Sequence, residues 1–169
     1  MFESVLDEAL DAWIDAREGV IAELESIPAD RYDFRPTQDV RSVAELACHI
    51  LEVSELMVGE LTREDTDLHR EPFPDLVARY ASDVQGLTDR DEILRAARET
   101  LDRGVERFRD VGELHMLQLI ERFDGKKGTR LAWMHHGIAQ EMYHRGQLCT
   151  YERLMGLVPA LTKRIRGQS

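Results

Sequence analysis

Helical periodicity runs through most of this chain and restricts it to an all-α fold. From about Phe2 to Ile27, apolar residues recur at steps of three, four and seven, and Pro28 ends the pattern. Three more long helical segments follow: one begins at Ser42, one runs from about Asp91 to Arg109, and one from about Thr129 to Met155. Four long helices joined by loops of mixed length predict an up-down antiparallel four-helix bundle.

Local signals mark the ends of these helices. Ser42 and Glu45 have the spacing of a capping box at the start of the second helix. Gly156, followed closely by Pro159, predicts the end of the last one.

The connections are less regular. The segment from Thr62 to Pro74 is polar and predicts a loop, after which a short helix from about Asp75 to Ser82 is expected. Between Gly112 and Thr129 the sequence LHMLQLIERF fits either a helical turn or an extended piece, and DGKKG predicts a turn.

The composition indicates one globular domain over residues 1–169, with 43% apolar and 33% charged residues. No apolar run approaches the roughly 20 residues of a transmembrane helix, and the acidic N-terminus differs from a secretory signal. Two cysteines, Cys48 and Cys149, are expected to be buried packing thiols. We therefore expect a cytoplasmic protein with no membrane partner.

The net charge is −11, from 33 acidic and 22 basic residues. Such a surface repels phosphate backbones, so no nucleic-acid partner is expected.

The last helix carries residues that favour a metal site. His136, Gln140 and His144 follow one another at steps of four, and two such neighbours can share one ion. His136 and His144 lie two turns apart, about 12 Å, which is too far for both to bind it. A further ligand must come from another helix, where His49 stands among apolar residues. A lone histidine there is more often a packed core residue, so both interpretations stay open.

Two other metal motifs do not fit. Glu141 and His144 form one Glu-x-x-His, whereas a di-iron bundle needs two copies. Gln140 stands where the zinc protease motif needs histidine.

The last helix has two sides that both favour burial, which predicts a core face and a homodimer face. One side carries Leu131, Met134, Ile138, Met142 and Cys149, and the other carries Trp133, His136, Gln140, His144, Gln147 and Tyr151.

Three segments resemble the DinB/YfiT-like superfamily. They are IPADRYDFRPTQDVRSVAELACHI (residues 27–50), FDGKKGTRLAWMHHGIAQ (123–140) and EMYHRGQLCTYERLMGLVP (141–159), in the expected order. The resemblance implies a dimeric four-helix bundle that holds one divalent metal on three histidines.

The resemblance implies metal ligands at His49, Gln140 and His144, with glutamine in place of the expected histidine. An amide oxygen is a weak substitute for imidazole at zinc or nickel, so zinc, nickel and manganese all remain candidates. Candidate second-shell residues are His136, Glu141, Tyr143 and Gln147. Arg145 points away from His144 and is expected to pair with a carboxylate.

Two functions follow from the resemblance. The first is a metal-dependent enzyme, a transferase that uses a low-molecular-weight thiol or a hydrolase, acting on a small molecule. The second, suggested by Gln140, is a non-catalytic dimeric protein that has lost its metal and serves as a binding or stress-response module.

Overall fold

The computed structural model describes residues 4–65, 67–68 and 70–167, so the predicted helix start at Phe2 lies outside the described residues. A 3₁₀ turn at Ala29–Arg31 separates the first two helices. The elements in chain order are α1 (Val5–Ser26), α2 (Val43–Thr62), α3 (Phe73–Tyr80), α4 (Arg90–Met116), β1 (Leu119–Glu121), β2 (Lys127–Thr129), α5 (Arg130–Leu154) and α6 (Ala160–Ile165).

The predicted signals at the start of α2 and at the end of α5 are confirmed. The Ser42 side chain accepts a hydrogen bond from the Glu45 amide, and the Glu45 carboxylate accepts one from the Ser42 amide, which completes the capping box. Gly156 ends the last long helix with φ of 81°, a left-handed conformation that glycine adopts without strain.

The ambiguous segment before α5 contains both helix and strand. Gly112, with φ of 75°, breaks the helical path of α4, and one more turn continues to Met116. Strands β1 and β2 then pair antiparallel, and Thr129 is both the last strand residue and the N-cap of α5. The all-α prediction therefore needs one addition, a two-stranded hairpin that sets where α5 begins.

The four long helices form a bundle in which α1 and α2 each pack against both α4 and α5. Their apolar side chains form two buried clusters along the bundle, one near the C-terminal end of α1 and one near its N-terminal end. Between these clusters lie buried polar side chains, including Arg17, Ser54, Thr100 and Glu141. The candidate site lies in this polar layer between the two apolar clusters.

The predicted up-down order is wrong for α4. Cys48 contacts the carbonyl of Leu87 just before α4 begins, and Thr62 accepts a hydrogen bond from Arg107 farther along it. Residue numbers rise together on both helices, so α2 and α4 are parallel. The connection 63–89, which contains α3, returns the chain to the end of the bundle where α2 begins. An antiparallel pair of helices would need only a short loop.

The predicted division of α5 into two faces is also wrong. Met142 is 45% exposed although it was grouped with buried Met134, while His144 and Tyr151 on the other side are buried. Because α5 packs against both α1 and α2, its buried sector includes parts of both predicted faces.

Both cysteines are free and buried, as predicted. Within the described residues, no helix combines the length and apolar character needed to cross a bilayer.

Candidate metal centre

The structure brings two of the predicted ligands together from separate helices. The rings of His49 on α2 and His144 on α5 meet edge to face, with centroids 4.9 Å apart and planes at 83°. A Cβ on Gly137 would come within 2.2 Å of the Met57 sulfur, so glycine permits close approach of the same two helices farther along. The two helices thus hold the imidazoles in contact.

His144 is held by a hydrogen bond from its own helix. It is 7% exposed, and its Nδ1 lies 2.7 Å from Oε1 of Gln147. An amide oxygen only accepts, so Nδ1 donates this hydrogen bond, and in the neutral tautomer the lone pair lies on Nε2. The contact is compatible with the predicted role of Gln147, which is to orient a metal ligand by a hydrogen bond.

His49 is held as neutral imidazole. Its side chain is 20% exposed, and its pKa is lowered to about 4 by burial, by the positive charge of Arg41 and by His144. The Glu52 carboxylate lies 3.9 Å from Nδ1, too far for a hydrogen bond. At neutral pH the ring therefore has a lone pair for an electrophile or a cation.

Gln140 lies one turn before His144 on α5 and faces a small apolar cavity. The cavity, of about 130 Å³, lies between α2, α5 and the hairpin, and Val53 and Met57 are among its lining residues. The amide makes no hydrogen bond to any residue within the described ranges. The amide is therefore available to bind a metal ion, and the role of Gln140 as a metal ligand stays a prediction.

The other candidate second-shell residues have different contacts. His136 is exposed and stacks on Trp133, with centroids 4.6 Å apart. Tyr143 is 66% exposed and lies edge-on to His144, where its hydroxyl is 3.5 Å from the Gln147 amide nitrogen.

Glu141 faces α1 instead of the imidazoles. Arg17 donates to both of its oxygens, at 2.7 and 2.9 Å, and the indole of Trp13 donates at 2.8 Å. Arg17 also donates to Thr100 and to the carbonyl of Ala97 on α4. This buried network connects three helices, and no imidazole takes part in it.

An open cavity of about 500 Å³ adjoins His49. Tyr32, Cys48 and Leu87 contribute to its wall, and the two cations Arg35 and Arg41 lie at its edge. Arg35 pairs with Glu45 at 2.9 Å, whereas the guanidinium of Arg41 has no hydrogen-bond partner among the residues that the structure describes. The space can admit a small polar molecule beside His49.

Sequence analysis missed the buried charges on α1. Arg17 and Glu23 recur among the apolar positions of that helix, which is the signal that they face inward. Glu23 pairs with Arg145, at 3.2 Å, which confirms the predicted carboxylate partner for Arg145. Of the remaining histidines, His115 contacts the carbonyl of Leu61, His135 is exposed, and His69 lies outside the described residues.

Comparison with known proteins agrees with this architecture. A DinB-like protein of Bacillus subtilis superimposes with a TM-score of 0.66 at 22% identity, covering 88% of this chain and 92% of that one. A candidate DinB family member from Exiguobacterium sibiricum gives 0.63 at 19% identity, covering 90% and 93%. No curated protein matches the sequence. The DinB family model matches residues 1–167. The chain therefore belongs to the DinB family, as the sequence motifs predicted.

Proposed function

We propose that this protein binds a divalent metal, zinc, nickel or manganese, through His49 and His144, with Gln140 as the third donor. We further propose that it acts on a small molecule, as a thiol-dependent transferase or a hydrolase. The observation that carries the proposal is the contact of two imidazoles from separate helices, with ring centroids 4.9 Å apart, and the open cavity beside His49.

The donor set fits such an ion in two respects. The lowered pKa of His49 leaves its ring neutral, and metal-bound histidine characteristically donates its other N–H to an oxygen, as His144 does to Gln147. The described residues hold no group of three histidine, cysteine or carboxylate ligands that includes this pair, although the Glu52 carboxylate lies 3.9 Å from Nδ1 of His49. We propose Gln140 or water as the third donor.

A divalent ion with an open position lowers the pKa of a bound thiol or water and so supplies a nucleophile at neutral pH. The protein's own residues orient the ligand and form the cavity. Gln147 accepts the hydrogen bond from His144 and so orients its ring, and Tyr32 and Leu87 contribute to the cavity wall. Arg41, whose guanidinium has no hydrogen-bond partner among the described residues, also lines the cavity.

A conjugation assay tests this function. Cysteine is the thiol and chlorodinitrobenzene the electrophile, so that the thiolate sulfur displaces chloride and the thioether is measured by absorbance. We expect a rate above the uncatalysed reaction that depends on added metal and is absent in the His49→Ala/His144→Ala variant. Equal rates with and without protein for this pair and for an ester substrate would contradict catalysis.

Gln140 itself favours the second candidate, a non-catalytic dimeric module without metal. An amide is a weaker zinc ligand than imidazole. With glutamine at position 140, His49 and His144 are the two strong donors of the proposed site. In a Cys149→Ser background, which removes a separate group of potential ligands, Gln140→His separates the alternatives: stoichiometric zinc bound while Gln140 is kept supports the first. Zinc bound only after this substitution supports the second.

Gln147→Leu is expected to lower metal affinity about 10–100-fold, the usual effect of losing a second-shell partner. The substitution frees His144 Nδ1 and leaves the ring orientation to packing alone. Calorimetric zinc titration in a Cys149→Ser background measures the effect, and Gln85→Leu, at an exposed loop position, is the matched control. Unchanged affinity would show that Gln147 does not position the ligand.

Homodimerisation is proposed through α5. Its outward side carries Met142, 45% exposed, and Tyr143, 66% exposed. We expect a dimeric mass by sedimentation equilibrium at micromolar concentration. Met142→Glu should shift the equilibrium to monomer, and Thr150→Glu, also exposed on α5, is the control. A monomeric wild-type mass would refute the proposal.

A further inference from the structure

A second cluster of potential ligands lies at the far end of the bundle from the hairpin. It consists of Glu23 on α1 with Cys149 and Glu152 on α5, all three buried. A carboxylate oxygen from each glutamate and the sulfur of Cys149 lie within 4.8 Å of one another. None of these residues belongs to the imidazole pair.

Glu23 is held firmly in place. Its Oε1 accepts from Arg145 at 3.2 Å and from the amide of Leu161, and its Oε2 accepts from the amide of Ala160 at 2.6 Å. These contacts fix the carboxylate between α5 and the start of α6. The cluster is thus preorganised by a cation and two backbone amides.

Glu152 has an unsatisfied oxygen. The residue is fully buried, and its Oε1 accepts a hydrogen bond from Ser26. Its Oε2 has no hydrogen-bond partner among the described residues. A buried carboxylate oxygen without a partner is costly, so this position calls for a proton or a cation. Burial and Glu23 raise the pKa of Glu152 to about 7, which agrees with that need.

The charges of the cluster match a divalent ion. When fully deprotonated, Glu23, Cys149 and Glu152 carry three negative charges, and Arg145 offsets one of them. The remaining two can be neutralised by two protons, on Cys149 and Glu152, or by one divalent cation. Burial and the two glutamates raise the pKa of the Cys149 thiol to about 11, so without a cation the thiol keeps its proton.

We propose that Glu23, Cys149 and Glu152 form a second, buried cation site, specific for a zinc-like divalent transition metal. One sulfur and two carboxylate oxygens suit zinc and cobalt, whereas magnesium and calcium prefer oxygen alone. The cation replaces the thiol proton and the carboxyl proton, which leave to solvent. Water completes the coordination.

Cobalt(II) titration of the full-length chain tests the site through the thiolate-to-cobalt charge-transfer absorption in the near ultraviolet. We expect the band to saturate at one cobalt per chain and to vanish in Cys149→Ser. The band should persist in Cys48→Ser, the control for the other buried thiol, and in His144→Ala, which separates this site from the imidazole pair. Far-ultraviolet circular dichroism confirms that each variant is folded.

Glu152→Gln keeps the shape of the side chain and removes its charge, so it is expected to weaken cobalt binding at least about tenfold. This variant keeps the proposal testable if Cys149→Ser does not fold. A folded wild-type chain without the band in excess cobalt would overturn the site. Persistence of the band in Cys149→Ser would do the same.

Discussion

Replacing Arg17 with methionine is expected to lower the free energy of unfolding by about 3–5 kcal/mol. Methionine fills much of the same space but leaves the Glu141 carboxylate buried without its guanidinium partner. Two hydrogen bonds from α1 to α4 are lost with it, to Thr100 and to the carbonyl of Ala97. Urea denaturation followed by circular dichroism measures the change.

An exposed ion pair supplies the control for this prediction. Arg98 pairs with Glu25 at the surface, and Arg98→Met should cost about 1 kcal/mol or less. Adding Glu141→Gln to Arg17→Met should recover part of the loss, because it removes the uncompensated charge. A loss in Arg17→Met no larger than in Arg98→Met would show that the network does not stabilise the bundle.

His144→Ala is expected to weaken zinc binding at the imidazole pair by more than about 100-fold, beyond the effect of losing a second-shell residue. The titration is made in a Cys149→Ser background, so that the second proposed site does not contribute heat. His135→Ala, exposed on the same helix, is the matched control and should bind as tightly as the background. Equal zinc affinity in both variants would mean that His144 is not a ligand.

Local signals in the sequence predicted a large part of this structure. The hydroxyl of Ser42 and the carboxylate of Glu45 need only each other's backbone, so their spacing suffices to place the start of α2. His49 and His144 converge because each lies on a partly buried helix face, and two such faces in a bundle must meet a neighbour.

What the sequence did not reveal depends on contacts between distant residues. Glu141 forms an ion pair with Arg17, which is 124 residues away in the chain, and no local sequence pattern indicates that pairing. The direction of α4 depends on how far the connection 63–89 travels, which its polar composition does not specify. The small hairpin depends on a ladder between 119–121 and 127–129, and short segments of this kind fit helix and strand equally well.

An anomalous difference map from a crystal grown with zinc, measured at the zinc absorption edge, tests the imidazole pair most directly. We predict a peak between His49 and His144, about 2.0–2.1 Å from Nε2 of His144 and from a ring nitrogen of His49, with Gln140 or water beside it. A well-ordered site with both rings in place and no peak between them would contradict the assignment, whatever density appears near Cys149.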